Sequence, residues 1–391
     1  MGKRRARGTL LAGAAAALLM VGYALAPERS LQSRGSEGRT AQAASNRAKA
    51  RIDAAAVDSM STSAPTARRI ASRDATDARV EAECGGEFNQ AILHRQARLP
   101  PSSTPEGAIT RALMRSVADA SATNRQVFDE LLRQWPRDTG VAWVAWAYCM
   151  EHQGCDREAR ARHLVQLDSR NGAAWLALMD SVDPVRDNGS LEYALARAAQ
   201  APTFELRYGT IYVSLYPALA EIPIADRCWR YMEPKLQELT GSDATPPDLA
   251  DVLAHLWELA NMGPGFALHH ACRDHDDHRI APSRRRDCIA VMSRLVEQPS
   301  MRVQMTTLPL LIRLLGGGSA SQPMREQYRQ MRWLHRYSTQ LRFPPGSGAR
   351  IWSKGEIPYF KAQLREQGLW PPPPDWLPPD ERSRLLVVEG R

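Results

Sequence analysis

Apolar side chains recur at helical spacing almost everywhere between Glu81 and Gln367, and Pro, Gly and Asn/Asp turns break the pattern. The spacing predicts helices over 106–120, 124–135, 141–152, 156–168, 172–182, 189–200, 204–220, 225–239, 247–262, 283–296, 300–315, 322–341 and 354–367. Alternating β-branched runs bounded by hairpin turns are missing. The expected fold class is therefore all-α, built from helical hairpins stacked side by side.

A self-match sharpens this picture. Ala142-Trp143-Val144-Ala145-Trp146 and Ala174-Trp175-Leu176-Ala177-Leu178 lie 32 residues apart. Each is followed by a polar break and a second amphipathic helix, carrying Ala159, Leu164 and Leu167 in one case and Leu191, Ala194, Leu195 and Ala198 in the other. The stretch from Leu167 to Leu178 resembles the junction between tetratricopeptide repeats, where a turn precedes a helix with Trp and then Leu three residues later. The resemblance covers residues 140–203. It places Trp175, Leu178 and Ala198 at the repeat's tryptophan, leucine and late alanine, and Trp143, Trp146, Ala147 and Ala159 at matching points of the preceding unit. Met179, His163 and the displaced Pro202 depart from the pattern. The resemblance implies a right-handed superhelix of stacked hairpins whose extended surface suits a peptide or protein partner.

Charge changes the reading of the N-terminus. Of the 51 basic and 43 acidic side chains, 14 and 6 lie in residues 1–80, which leaves 37 of each sign for the remainder. The net charge of +8 thus belongs to the N-terminal arm, and a basic nucleic-acid groove in the body is excluded. Lys3, Arg4, Arg5 and Arg7 precede the uncharged stretch Thr9–Ala26, the layout of a bacterial export signal. Its eighteen residues give about 27 Å of helix, enough to cross a hydrocarbon core. Two fates are open. Ala24-Leu25-Ala26 satisfies the small-x-small cleavage rule, whereas Pro27 directly after it hinders a peptidase and favours an uncleaved anchor. The expected location is the bacterial inner membrane, single-pass with a periplasmic domain, or the periplasm if the signal is removed. Residues 27–80, rich in Ala, Ser, Thr and Arg with few large apolar side chains, read as a disordered tether.

In an oxidising compartment the even cysteine count, Cys84, Cys149, Cys155, Cys228, Cys272 and Cys288, reads as disulfides. Six cysteines allow 15 pairings. The close pairs Cys149/Cys155 and Cys272/Cys288 are the natural ones, which leaves Cys84 with Cys228. No C-x-x-C redox motif or haem motif occurs.

The segment 269–288, HHACRDHDDHRIAPSRRRDC, concentrates reactive side chains. His269, His270, Cys272, His275, Asp276, Asp277, His278 and Cys288 are of types that bind zinc, with His275, His278 and Asp276 the candidate ligands, yet no established ligand spacing is present. A polar loop closed by a Cys272–Cys288 bridge accounts for the same residues. No catalytic constellation stands out: Ser347 lacks the G-x-S-x-G elbow, and Gly316-Gly317-Gly318-Ser319 lacks the Lys of a phosphate loop. No cofactor is expected.

The tail LWPPPPDWLPPDERSRLLVVEGR cannot be helical through Pro371–Pro374. It is either a ligand for an aromatic-lined groove on a partner or a wrap that covers an end of the helical array. The chain thus divides into a signal or anchor (1–26), a tether (27–80), an α-helical repeat-like domain (81–345) and a Trp/Pro-rich tail (346–391). The expected function is a non-enzymatic interaction or scaffold module in the envelope, with an unidentified protein or peptide partner. The alternative is a metal-dependent envelope enzyme using the segment 269–288.

Overall fold

The computed structural model describes residues 64–99, 102–118, 124–151, 155–182, 187–241, 243–260, 266–273, 280–341, 343–344 and 346–390, and among them it is all-helical, with no strand. The chain divides into two compact units, residues 1–88 and 89–391. Helix α1 (Ala64–Arg98) begins inside the span expected to be tether. Its first turns are mostly Ala, Arg and Asp with no Gly, and Ala and Arg favour helix without help from packing. The apolar stretch 9–26 and the rest of the tether lie outside the described residues. No described helix is long and apolar enough to cross a membrane.

In the second unit, α2 (Pro105–Ala118), α3 (Asn124–Gln134), α4 (Thr139–Glu151), α5 (Arg157–Leu167), α6 (Gly172–Ser181) and α7 (Asn188–Gln200) follow one another, each packed on the next. Helix α4 carries TGVAWVAWAYCME and α6 carries GAAWLALMDS, apolar on every face, and a helix of that kind must be covered all round. Every residue from Val141 to Cys149 and from Gly172 to Met179 is buried. Trp143 and Trp175, the matched positions of the self-similarity, are both buried, with indole N–H groups facing Asp168 Oδ2 at 3.5 Å and donating to the Ser169 carbonyl at 2.8 Å. Ala159 is exposed, whereas Ala161 two residues on is buried. Asp138, Asp156 and Asp187 cap the starts of α4, α5 and α7 through their own side chains.

The row resumes at α12 (Pro282–Leu295), which packs on α7 and then on α13 (Met301–Leu315). After a 3-10 turn at Ser319–Ser321 comes α14 (Gln322–Ser338), covered by α16 (Glu356–Glu366) and α17 (Glu381–Glu389). Helices α8 (Thr210–Ala220), α10 (Pro246–Ala260) and α15 (Ser347–Lys354) pack on one another, with α8 also against α2 and α4. Helix α9 (Asp226–Thr240) lies on α10, and the short α11 (Phe266–Ala271) on α6.

Three boundaries differ from the sequence expectation. The helix expected over 204–220 starts only at Thr210, because Thr203–Glu205 runs extended beside the α5–α6 turn. There the Gly172 N–H bonds the Thr203 carbonyl at 2.8 Å, and the Thr203 N–H reaches the Arg170 carbonyl at 3.2 Å. The helix expected over 354–367 is split at Gly355, whose φ of 89° no side-chain-bearing residue adopts readily. The body does not stop at residue 345. Helices α15 and α16 belong to it, since the Gly348 N–H donates to Asp251 Oδ2 on α10 at 3.0 Å.

The Pro-rich tail folds back along α14. Arg329 donates to the Pro373 and Trp376 carbonyls at 2.7 and 3.2 Å, Trp333 Nε1 donates to the Leu369 carbonyl at 2.8 Å, and the Trp333 and Trp376 rings meet edge to face at 5.0 Å. Cys149 is bonded to Cys155 and Cys272 to Cys288, with Cα–Cα distances of 5.3 and 5.7 Å, and no described cysteine is free.

Candidate functional site

The densest group of buried titratable side chains lies on α10. Asp248, Asp251, His255 and Glu258 are spaced by three, four and three residues, which puts all four on one helical face. That face looks onto α8 and α15. Helix α8 starts behind Gly209, which has no side chain to satisfy the first N–H groups. Glu258 does so from across the interface: its Oε1 accepts the Gly209 N–H at 3.0 Å and its Oε2 the Tyr212 N–H at 2.8 Å.

Asp251 works the same way on α15, accepting the Gly348 N–H through Oδ2 while the Tyr212 hydroxyl donates to Oδ1. A Cβ on residue 348 would lie 2.2 Å from Asp251 Oδ1 and 2.8 Å from the Tyr212 ring, so the close approach requires glycine. Asp248 holds its own helix start through the Thr245 N–H at 2.7 Å.

Two more carboxylates repeat the device. Glu356 on α16 accepts from Ser300 Oγ at 2.7 Å and from the Met301 N–H at 2.9 Å, at the start of α13. Asp180 accepts the Ala267 N–H at 2.6 Å, at the start of α11. Each acid meets the positive end of a helix dipole.

Burial dominates the proton affinities here. It pushes the Glu258 carboxyl up to about 7 in spite of the N–H groups that favour its anion. It raises Glu356 for the same reason. It pushes His255 down to about 4, so the imidazole is neutral, and its Nδ1 has no hydrogen-bond partner among the described residues. The Tyr208 and Tyr212 phenols are raised, by burial first and then by Glu356 and Asp251 respectively.

Between α4 and the start of α8 lies a cavity of about 30 Å³, lined by Trp143, Trp146, Arg207, Tyr208, Ile211 and Glu258. It has room for one or two water molecules. Chemically, both Glu258 oxygens are occupied by main-chain donors, so the site fastens helices together. A larger groove of about 370 Å³ opens between the end of α1, α2 and α3, with Gln96, Arg115, Gln126 and Gln134 among its walls.

The sequence-predicted ligands fare differently. His275, Asp276 and His278, together with Asp277, lie outside the described residues, and the alternative metal-dependent reading gains no observation. His269 and His270 sit in the last turn of α11, beside the Cys272–Cys288 bridge. Among the described residues, no group of three or more His, Cys, Asp or Glu side chains is placed to hold a metal ion. The stripe on α10 was not singled out from the sequence, where His255 counts only as a neighbour of the histidine-rich segment. Its signal is present in DLADVLAHLWELA as acids and a histidine at helical spacing on an otherwise apolar helix.

Comparison with family models, with curated proteins and with solved structures returns no match to the chain.

Proposed function

We propose that the chain is a non-enzymatic protein-interaction module of the bacterial envelope, exported or anchored through residues 1–26. In this reading α2–α7 form a right-handed, tetratricopeptide-like stack. The observation that carries the reading is the grip of Asn171 on the extended segment 203–205. Asn171 Oδ1 accepts the Glu205 N–H at 2.8 Å, and its Nδ2 donates to the Glu205 carbonyl at 2.9 Å. One amide thus holds both main-chain groups of one extended residue whatever its side chain, which is how sheet-like peptide recognition obtains affinity without side-chain contacts. Here the chain's own segment fills that grip. The groove between α1, α2 and α3 offers the same chemistry, the amides of Gln96 and Gln126 and the cation of Arg115, to a partner's extended segment with an acidic residue set away from Glu130.

The test is site-specific photocross-linking in native envelopes. The full chain with a benzophenone amino acid at Gln126 is expected to give one discrete adduct, lost on Arg115→Glu. The same probe at the exposed Arg162 on α5 is expected to give none. Absence of any adduct from Gln126 defeats the proposal.

A further inference from the structure

The tail that folds back along α14 is seated by a particular chemistry. Six of the nine residues from Pro371 to Pro379 are prolines, and a proline has no N–H to donate. What this backbone offers a neighbour is therefore mostly carbonyl oxygen, and α14 meets it with donors. Arg329 Nη1 donates to the Pro373 and Trp376 carbonyls at 2.7 and 3.2 Å, and Trp333 Nε1 to the Leu369 carbonyl at 2.8 Å. Pro372 and Pro378 are buried, Trp376 meets the Trp333 ring edge to face, and Lys361 of α16 stands 4.9 Å over the Trp370 ring.

The receiving face is oriented from within α14. Glu326, one turn earlier, accepts from Arg329 Nε and Nη2 at 2.7 and 2.8 Å, which leaves Nη1 for the tail. Trp333 packs against Tyr337 of the same helix, with ring centroids 4.4 Å apart. These donors need no tail to hold them, which spares an incoming ligand the cost of ordering them. Glu326 first, and Asp375 of the tail more weakly, strengthen the hold of Arg329 on its proton, so a carboxylate among the prolines suits the site. The tail is fastened separately, beyond its prolines. Asp380 pairs with Arg332 at 2.6 Å and caps α17 through the Ser383 N–H at 2.8 Å. The Ser383 and Tyr328 hydroxyls meet at 3.1 Å, and Arg325 holds the Val388 carbonyl at 2.8 Å.

Aromatic-lined grooves read proline-rich segments because such segments are already extended and lose little chain entropy on binding. We propose that this face of α14 binds a proline-rich, acid-bearing segment of a partner protein, and that the chain's own tail occupies it as an internal competitor. The surface is separate from the groove between α1, α2 and α3. A ligand on a short tether acts at about millimolar effective concentration, so a partner displaces the tail once the α17 latch opens. The tail of a second copy brings only contacts that the resident tail already makes, without the advantage of the tether.

The test uses the full chain in non-ionic detergent and a fluorescein-labelled peptide with the sequence of residues 369–379, followed by anisotropy. Asp380→Ala/Ser383→Ala opens the latch and leaves the proline segment intact. It is expected to bind the peptide at least about tenfold more tightly than the parent, the worth of a lost cap and a lost hydrogen bond. Adding Trp333→Phe, which keeps a ring and removes the N–H, is expected to weaken that binding about fivefold. A peptide with alanine in place of every proline is expected to bind about tenfold more weakly, because it must be ordered on binding. Unfolding curves establish that each variant is folded, and light scattering gives its oligomeric state. No saturation of the latch variant by about 1 mM peptide, the scale of the tethered competitor, or equal affinity for the alanine peptide, overturns the proposal. A latch variant that dimerises through exchanged tails and excludes the peptide also overturns it, and assigns the face to a second copy.

Discussion

Glu258 stands between two opposed forces, and the sign of the outcome is measurable. Two main-chain N–H groups at the start of α8 favour its anion, while burial among α4, α8 and α10 favours the neutral acid. Burial prevails and raises the folded-state pKa to about 7 from the ordinary value of 4.5. The folded protein therefore holds more protons than the unfolded chain across this window. The contribution of Glu258 is fully present below pH 4.5 and is lost as the pH rises through 7. The shift corresponds to about 3 kcal/mol, at about 1.4 kcal/mol per unit.

His255, one turn earlier on α10, has the reverse sign. Its folded pKa of about 4 lies below the ordinary value of 6.5, so its contribution is recovered as the pH rises through that range. The two slopes overlap and largely cancel in the parent protein, which makes the single variant the informative one. Glu258→Gln, neutral at every pH and nearly the same shape, is expected to lie close to the parent at pH 5. It is expected to become more stable than the parent by about 2–4 kcal/mol at pH 8, when the parent must bury a charge. Urea unfolding at pH 5, 6, 7 and 8, read as the difference between variant and parent, is the assay. The opposite trend, a variant that loses ground as the pH rises, would show that the helix start stabilises the anion more than burial penalises it, and would refute the argument.

Two further outcomes are expected. Asn171→Ala removes four hydrogen bonds at a buried position, to Ala173, Glu205 twice and Asp168, and is expected to cost about 3 kcal/mol in urea unfolding and to speed hydrogen exchange at the Glu205 N–H. A loss under about 0.5 kcal/mol would mean that water replaces the grip at no cost. Replacing Cys272 and Cys288 by Ala opens a loop with a sequence separation of 16 and is expected to cost about 3 kcal/mol, while alkylation of the parent without reductant is expected to add nothing to its mass.

The all-α class was legible because helical periodicity is local, and the doubled Ala-Trp motif marked the two most deeply buried helices, α4 and α6. What escaped was set by partners far along the chain. Phe204–Gly209 carries apolar residues at spacings compatible with helix, yet Asn171 claims its backbone at Glu205, and nothing within the segment announces that. Helices α15 and α16 were assigned to a tail because prolines and glycines surround them, while the acids that hold them lie on α10 or begin α16 itself. The stripe Asp248, Asp251, His255 and Glu258 was readable in principle. Charged residues on a helix are ordinarily its wet face, and only the neighbours show that this face is the dry one.

The helix starts fastened from elsewhere have a consequence for how the chain can be cut. In a linear repeat array each unit touches only its neighbours, so a unit can be removed from an end and the remainder stands. Here α8 is closed by a residue 46 positions later, α13 by one 55 positions later, and α15 by one 97 positions earlier. Ending the chain before Glu356 strips the cap from α13, and ending it before Glu258 strips the cap from α8. From Phe204 to Glu366 the protein is held like an arch, in which the early stones stand only once the late ones are placed.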